Sequence, residues 1–245
     1  MYPTIEKMLQ HASVRNFKPE ALPLETKNLL ITAAQSGSSS NFVQAYTIIE
    51  IADESVRREI AEISGSAAYV NQTGAFYLFV ADWYRQAEIL RDHEQELAAL
   101  RNMEALTVAV VDTTIAAQNM AIAAESMDLG VCYIGGIRNN LAKVAQILDL
   151  PELTVPLFGL SVGYPNFRNE VKPRLPQHNI FSVDGYDRQK LTDLSAYKAT
   201  SANYYKQRTS HQKDTDWTQE MSQFLSEPRR KDVANFLKQQ GFTLS

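Results

Sequence analysis

With one cysteine in 245 residues, Cys132, the chain cannot close an internal disulfide, and metal sites built on several thiolates are excluded. The four histidines, His11, His93, His178 and His211, are scattered without metal-ligand spacing, so a zinc or iron centre is not expected. Clean apolar runs are also missing. The longest, "EALTVAVVDTTIAAQNMAIAAESMDLG", is broken by Asp112, Gln118, Asn119 and Glu125, which a bilayer centre would penalise. The opening "MYPTIEKMLQ" has neither the basic start nor the apolar core of a secretion signal; together with the lone thiol this sets the expectation of a cytoplasmic protein. Positive charge is in short supply, 24 Lys and Arg against 28 Asp and Glu for a net charge of -4, which argues against binding nucleic acid or an anionic membrane. Phosphate-loop, dinucleotide-binding, zinc-protease and serine-hydrolase motifs are all absent.

What is there reads as a globular chain. At 44% hydrophobic and 21% charged residues it is long enough to bury a sizeable core. The patterning predicts helices at about 3 to 10 and 24 to 35, the second carrying Leu24, Leu29, Leu30, Ala33 and Ala34. A β-branched strand, "YTIIEIA", follows, and then a helix, "DESVRREIAEISG", with Asp53 as N-cap and Gly65 near its end. "AFYLFVADW" is a strand, and residues 84 to 128 form one or two long helices stopped by Gly130. From Thr107 to Ala124 the chain is apolar on nearly every side, so that helix must be covered all round, by its own chain alone or in part by a second subunit. "VCYIGG" and "PLFGLSVGYP" are strands flanking the helix "NNLAKVAQILDL", and the rest from about 187 is helical around a polar loop, "QRTSHQKDTD". The sum is four central strands among many helices, an α+β or three-layer α/β/α domain with a helical C-terminal extension. The expected division is 1–186 and 187–245.

Four polar clusters remain. In "HASVRNF" the side chains of His11, Ser13 and Arg15 alternate and share one face of an extended chain. From His11 to Arg15 such a chain covers about 13 Å, too far for all three to meet one phosphate. "SGSSSNFVQ" offers small hydroxyls and a permissive glycine; "YIGG" runs a strand into two glycines; "KPRLP" places Lys172 and Arg174 on either side of Pro173. Each alone reads as a turn, a solvated loop or surface charge.

In this order and at these spacings the clusters resemble the nitroreductase superfamily, specifically its oxygen-insensitive NADPH nitroreductase and NADPH-flavin oxidoreductase branch. The resemblance is carried by "HASVRNF", "SSSNFVQ", "VDTTIAAQNMAIAAESMDLGVCYIGGIRNN", "VPLFGLSVGYP", "KPRLP" and "YYKQRTSHQKDTDW". It implies an α+β, three-layer α/β/α fold with a mixed central sheet and a long core helix, in an interlocked homodimer holding non-covalent FMN at the subunit interface, with NADPH as electron donor. His11 and Ser13 match positions that hold the FMN phosphate, with Lys172 and Arg174 as basic partners. Arg15 matches the basic group at the pyrimidine end of the flavin. Ser39, Ser40 and Gln44 match flavin-lining positions from the other subunit, and Tyr133, Ile134, Gly135 and Gly136 match the strand end along the ring. Arg208 and Lys213 match positions that grip the 2′-phosphate of NADPH.

The implied activity is a ping-pong, two-electron reduction of nitroaromatics, quinones, free flavin or similar small acceptors, with Phe42 as a substrate-stacking residue and no catalytic nucleophile or base. The sequence departs from the family pattern at Ala12, where many members have arginine, and at Ala67, where a glutamine commonly contacts the flavin. Asn41 also replaces a serine of the hydroxyl run. These losses keep an alternative open: a flavin-binding protein of low turnover in a storage or partner-binding role.

Overall fold

The computed structural model describes residues 2–245. A short helix α1 (Pro3–Leu9) precedes α2 (Leu24–Gln35), β1 (Tyr46–Glu50), α3 (Glu54–Ser64), α4 (Ala67–Val70) and β2 (Ala75–Asp82). There follow α5 (Tyr84–Asp92), α6 (Ala98–Arg101), α7 (Met103–Ser126), β3 (Gly130–Ile134), α8 (Leu141–Ile147) and β4 (Thr154–Gly163). The C-terminal third carries α9 (Arg188–Thr192), α10 (Ser195–Gln207), α11 (Trp217–Leu225) and α12 (Val233–Gln239). Local chemistry sets several of these boundaries. The Asp53 carboxylate accepts the N–H groups of Ser55 and Val56 to open α3, and the Ser55 hydroxyl, the largest influence, helps hold that carboxyl below its usual range. Gly65 ends the same helix at φ 64°, a left-handed conformation that glycine adopts without steric cost.

The strands order β1-β2-β4-β3, and all three pairings are antiparallel. This corrects the expected mixed sheet: parallel and antiparallel strands share the same apolar patterning, so strand direction is decided by the connections. Every residue of β2 is buried. Its Ala75, Tyr77 and Phe79, with Leu160 and Val162 of β4, pack on Leu30 and Ala34 of α2 and on Ala117, Met120 and Ala124 of α7. On the opposite face Phe76, Leu78 and Val80, with Cys132 and Ile134 of β3, pack on Ile60 and Ala61 of α3 and Val144 of α8. The layers are therefore helix, sheet, helix.

The helix α7 is long and apolar enough to cross a membrane by length and composition, yet half of its most apolar window is buried inside the chain, as befits a core helix. Within one chain it is not covered all round. Thr107, Val111, Thr114 and Gln118, spaced to fall on one helical stripe, are exposed. Leu24 and Leu29 of α2 are exposed as well.

The chain forms two compact units, one running to Asn169 and resuming at Arg230–Ser245, the other Glu170–Arg229. These limits differ from the division at 186/187. That boundary marks where the helical pattern begins, whereas a compact unit is set by packing: Phe236 and Phe242 lie in one apolar cluster with Trp83, Leu106 and Leu141, so the tail belongs to the first unit. Within the second unit the Tyr197 hydroxyl donates to the Pro173 carbonyl (2.8 Å), and its ring meets Trp217 edge-on at 5.6 Å.

The contact of α2 with α7 supports the first layer, and Leu30 is fully buried in it. Leu30→Ala is expected to cost about 2–5 kcal/mol, measured by denaturant unfolding at fixed protein concentration.

Candidate active site

The "HASVRNF" segment is laid against β3. The Val14 N–H donates to the Val131 carbonyl (2.9 Å), Lys18 N–H donates to Tyr164 (2.8 Å), and Phe17 bridges Pro165. Val14 is fully buried over Gly130, where a Cβ would stand 2.6 Å from a Val14 methyl; glycine is what lets the segment approach. With Val14 and Phe17 as anchors, the polar side chains between them face outward. His11 sets its Nδ1 2.7 Å from Oε1 of Glu125, a buried carboxylate near the end of α7. A carboxylate only accepts, so Nδ1 carries the proton and Nε2 is the ring atom left for a ligand. The Ser13 carbonyl accepts from Asn169 Nδ2 (2.9 Å). Arg15 is exposed and has no carboxylate at ion-pair distance among the described residues.

Arg15 acts on the strand beneath it. Burial pushes the Cys132 thiol above its usual range, and Arg15 is the opposing influence. Cys132 is free and buried, a core residue as its neighbours in the strand suggest. The neighbouring Tyr133 is partly exposed, donates to Gln118 Oε1 (3.3 Å) and lies edge-on to Phe158. Burial first, then Glu125, raises its pKa, so Tyr133 is a neutral phenol at ordinary pH. Ile134 is buried, and Gly135 and Gly136 open a tight 3₁₀ turn. A Cβ at Gly136 would fall 2.0 Å from the Ser64 carbonyl oxygen, so this glycine is required by packing against α3. Ala67, the first residue of α4, is half-buried and packs its methyl against the core.

The hydroxyl loop is organised by a residue that the pattern passed over. Asp112 of α7, 1% exposed, accepts from the Ser39 hydroxyl (2.6 Å) and from the N–H groups of Ser40 and Ala45 (both 3.1 Å). The Ser39 hydroxyl in turn accepts from the Gln44 N–H at 2.7 Å. Ser39 therefore holds the loop, with its donor and an acceptor site already engaged. The backbone is left-handed at Asn41, Phe42 and Gln44, none of them glycine, which is costly strain that this network restrains. Phe42 ends 79% exposed and, with Ile31, Gln44, Arg85 and Ile89, lines a groove of about 680 Å³. Asp112 and Glu125 are 13 residues apart on α7, so the loop and the His11 segment are anchored roughly 20 Å apart along that helix.

In the second unit Lys172 and Arg174 line a cleft of about 360 Å³ with Tyr197, Tyr205 and Trp217. The Arg208 guanidinium sits 6.0 Å from the Tyr204 ring centroid, and Lys213 is paired with Glu220 at 2.6 Å.

Asp112 and Glu125 were visible in the sequence as acids inside an apolar helix, and that oddity was the available signal; Glu220 carried none. His11, Ser13 and Arg15 share one segment laid on β3, and Tyr133 stands partly exposed on that strand; a cation, an imidazole, a hydroxyl and an aromatic ring are group types that suit a phosphate joined to a planar ring. The class defined here is an α/β/α protein with an antiparallel sheet between helices and a polar segment laid along its edge strand. The chain belongs to the nitroreductase family: the family model matches residues 8–164, and the model of the family's C-terminal domain matches residues 172–245. The chain is 38% identical over 245 residues to a Bacillus subtilis protein named FMN reductase (NADPH), covering 98% of each. It is 37% identical over 238 residues to a Vibrio harveyi NADPH-flavin oxidoreductase, covering 97% of each. The solved structure of Bacillus megaterium NfrA1 superposes with a TM-score of 0.95 at 38% identity, covering 98% of this chain and 99% of that one.

Removing the Asp112 carboxylate leaves three donors without their acceptor. Asp112→Ala is expected to destabilise by about 3 kcal/mol or more in denaturant unfolding, with protease cleavage appearing in the 39–45 loop. The Cys132 thiol, buried and held protonated, is expected to react with a disulfide reagent at neutral pH far more slowly in the native chain than in urea.

Proposed function

We propose that this chain is an FMN-dependent NADPH oxidoreductase that reduces nitroaromatics, quinones, free flavin or similar acceptors by two electrons. The observation that carries the reading is the exposed guanidinium of Arg15, without a carboxylate at ion-pair distance among the described residues and close to Cys132 of β3, on the same segment that carries His11 and Ser13. The named activities of the Bacillus subtilis and Vibrio harveyi relatives support it.

FMN, when bound, supplies the hydride-accepting and hydride-donating chemistry. His11, its Nδ1 held by Glu125, would offer Nε2 to the phosphate, with Ser13 on the same segment; Lys172 and Arg174 are the basic partners that the resemblance implies. Arg15 would place positive charge at the pyrimidine end of the flavin and favour negative charge there. Tyr133, Ile134, Gly135 and Gly136 would lie along the flavin, with Ser40 and Gln44 lining it from the other subunit; Ser39 acts through the loop it braces. Ala67 would contribute only apolar contact, and Phe42 would face the acceptor. Arg208, with Lys213, selects the 2′-phosphate of NADPH. No side chain is assigned as nucleophile or base.

The assembly we infer is a homodimer in the cytoplasm. Two features support it: the exposed stripe of α7, and the roughly 20 Å along α7 between the two half-sites, which a second copy would bring together from the other chain. The residues 1–186 would hold the flavin, and 187–245 would pack on the partner and contribute to the NADPH site.

The purified chain should be yellow, bleach with NADPH under anaerobic conditions and recover its colour with a nitroaromatic. A colourless preparation that binds no added FMN would overturn the reading. Bound FMN that NADPH cannot bleach would favour the low-turnover alternative suggested by Ala12 and Ala67. Arg15→Ala should weaken FMN binding to the apoprotein about tenfold or more, and Glu125→Gln by a smaller factor, both read by fluorescence titration.

A further inference from the structure

The polar loop after α10 carries two basic side chains in different states. Arg208 leans on the Tyr204 ring with no carboxylate at ion-pair distance among the described residues. Lys213 is engaged: its Nζ lies 2.6 Å from Oε2 of Glu220, in the first turn of α11, and its N–H donates to the Tyr205 carbonyl at 3.1 Å. The Glu220 side chain is only 24% exposed, so the pair is partly shielded from solvent. Tyr205 stands amid these charges: after burial, Glu220 raises its pKa, while Lys213 and Arg208 lower it. The other lysines nearby are also matched, Lys206 with Asp214 at 3.1 Å and Lys198 with Asp216 at 3.8 Å.

We propose that Glu220 is an internal competitor for the nucleotide 2′-phosphate: its carboxylate occupies the Lys213 ammonium, leaving Arg208 as the main cation that discriminates NADPH from NADH. This inference rests on the proposed role of Arg208 and Lys213 in gripping that phosphate. The chemistry is an exchange of one anion for another. A dianionic phosphate reaching Lys213 must displace a carboxylate already at hydrogen-bond distance, so the lysine returns less binding than an unpaired one would. Ligands without a 2′-phosphate make no such exchange and are indifferent to Glu220. The residue sets specificity without touching the reacting atoms. A purely structural Glu220, placed in the first turn of α11 to favour the helix dipole, would affect stability and not phosphate discrimination.

The test uses the full-length holoprotein and two probes, 2′,5′-ADP and 5′-AMP, with binding measured calorimetrically. Glu220→Gln should tighten 2′,5′-ADP by about three- to tenfold at low salt and leave 5′-AMP unchanged, the gain shrinking as ionic strength rises. Glu220→Asp, which keeps the charge, should stay near the parent. Adding Lys213→Gln to Glu220→Gln should abolish the gain, since the two residues act as one coupled pair. Arg208→Ala separates this proposal from the reading beneath it. If that variant binds 2′,5′-ADP like the parent, the phosphate site itself is misplaced and the proposal falls with it. If Arg208→Ala loses affinity while Glu220→Gln gains none, the phosphate site stands and Glu220's role is overturned.

Discussion

Two carboxylates buried in α7 organise this molecule. Asp112 and Glu125 sit in a helix whose other buried residues, Thr113 apart, are alanine, leucine and methionine. A carboxylate removed from water is tolerated only where hydrogen bonds replace its hydration. Here the replacements come from the segments that form the candidate site: Asp112 gathers the 39–45 loop, and Glu125 holds the His11 ring. The core helix thereby fixes the functional segments, and the need to satisfy each buried charge keeps those segments ordered.

The sheet supplies the other half of the frame. The edge strand β3 carries the "HASVRNF" segment along its flank through the Val14 hydrogen bond, while its own Tyr133 and the following glycines form the floor. β3 is packed on both faces, by α7 on one and by α3 and α8 on the other, which fixes the strand that the segment lies on. Packed elements bearing exposed polar groups suit the proposed role, in which a bound cofactor would supply the chemistry and the chain its orientation.

Much of the fold was legible. The helix expected at 24 to 35 is found at Leu24–Gln35, and Asp53 and Gly65 cap α3 as their side-chain chemistry dictates. The all-round apolarity of α7 set an expectation of cover on every side, which one chain meets on all but one stripe. Strand direction was not legible, since alternation looks alike in parallel and antiparallel ladders. The unit boundaries were hidden too, because a C-terminal tail returning to an N-terminal core leaves no compositional mark.

By itself the sequence determined the periodicities, the caps, the polar clusters and, through their order, the family to which the chain belongs. Only the tertiary structure decided how each polar group is used. It committed the Ser39 hydroxyl to Asp112, tied Lys213 to Glu220, gave Gly136 to close packing on α3 and left Arg15 unpaired among the described residues. The physical reason is that availability depends on partners distant in sequence. A hydroxyl or an ammonium carries the same chemistry wherever it stands, and whether it can meet a ligand depends on what the fold has already placed beside it.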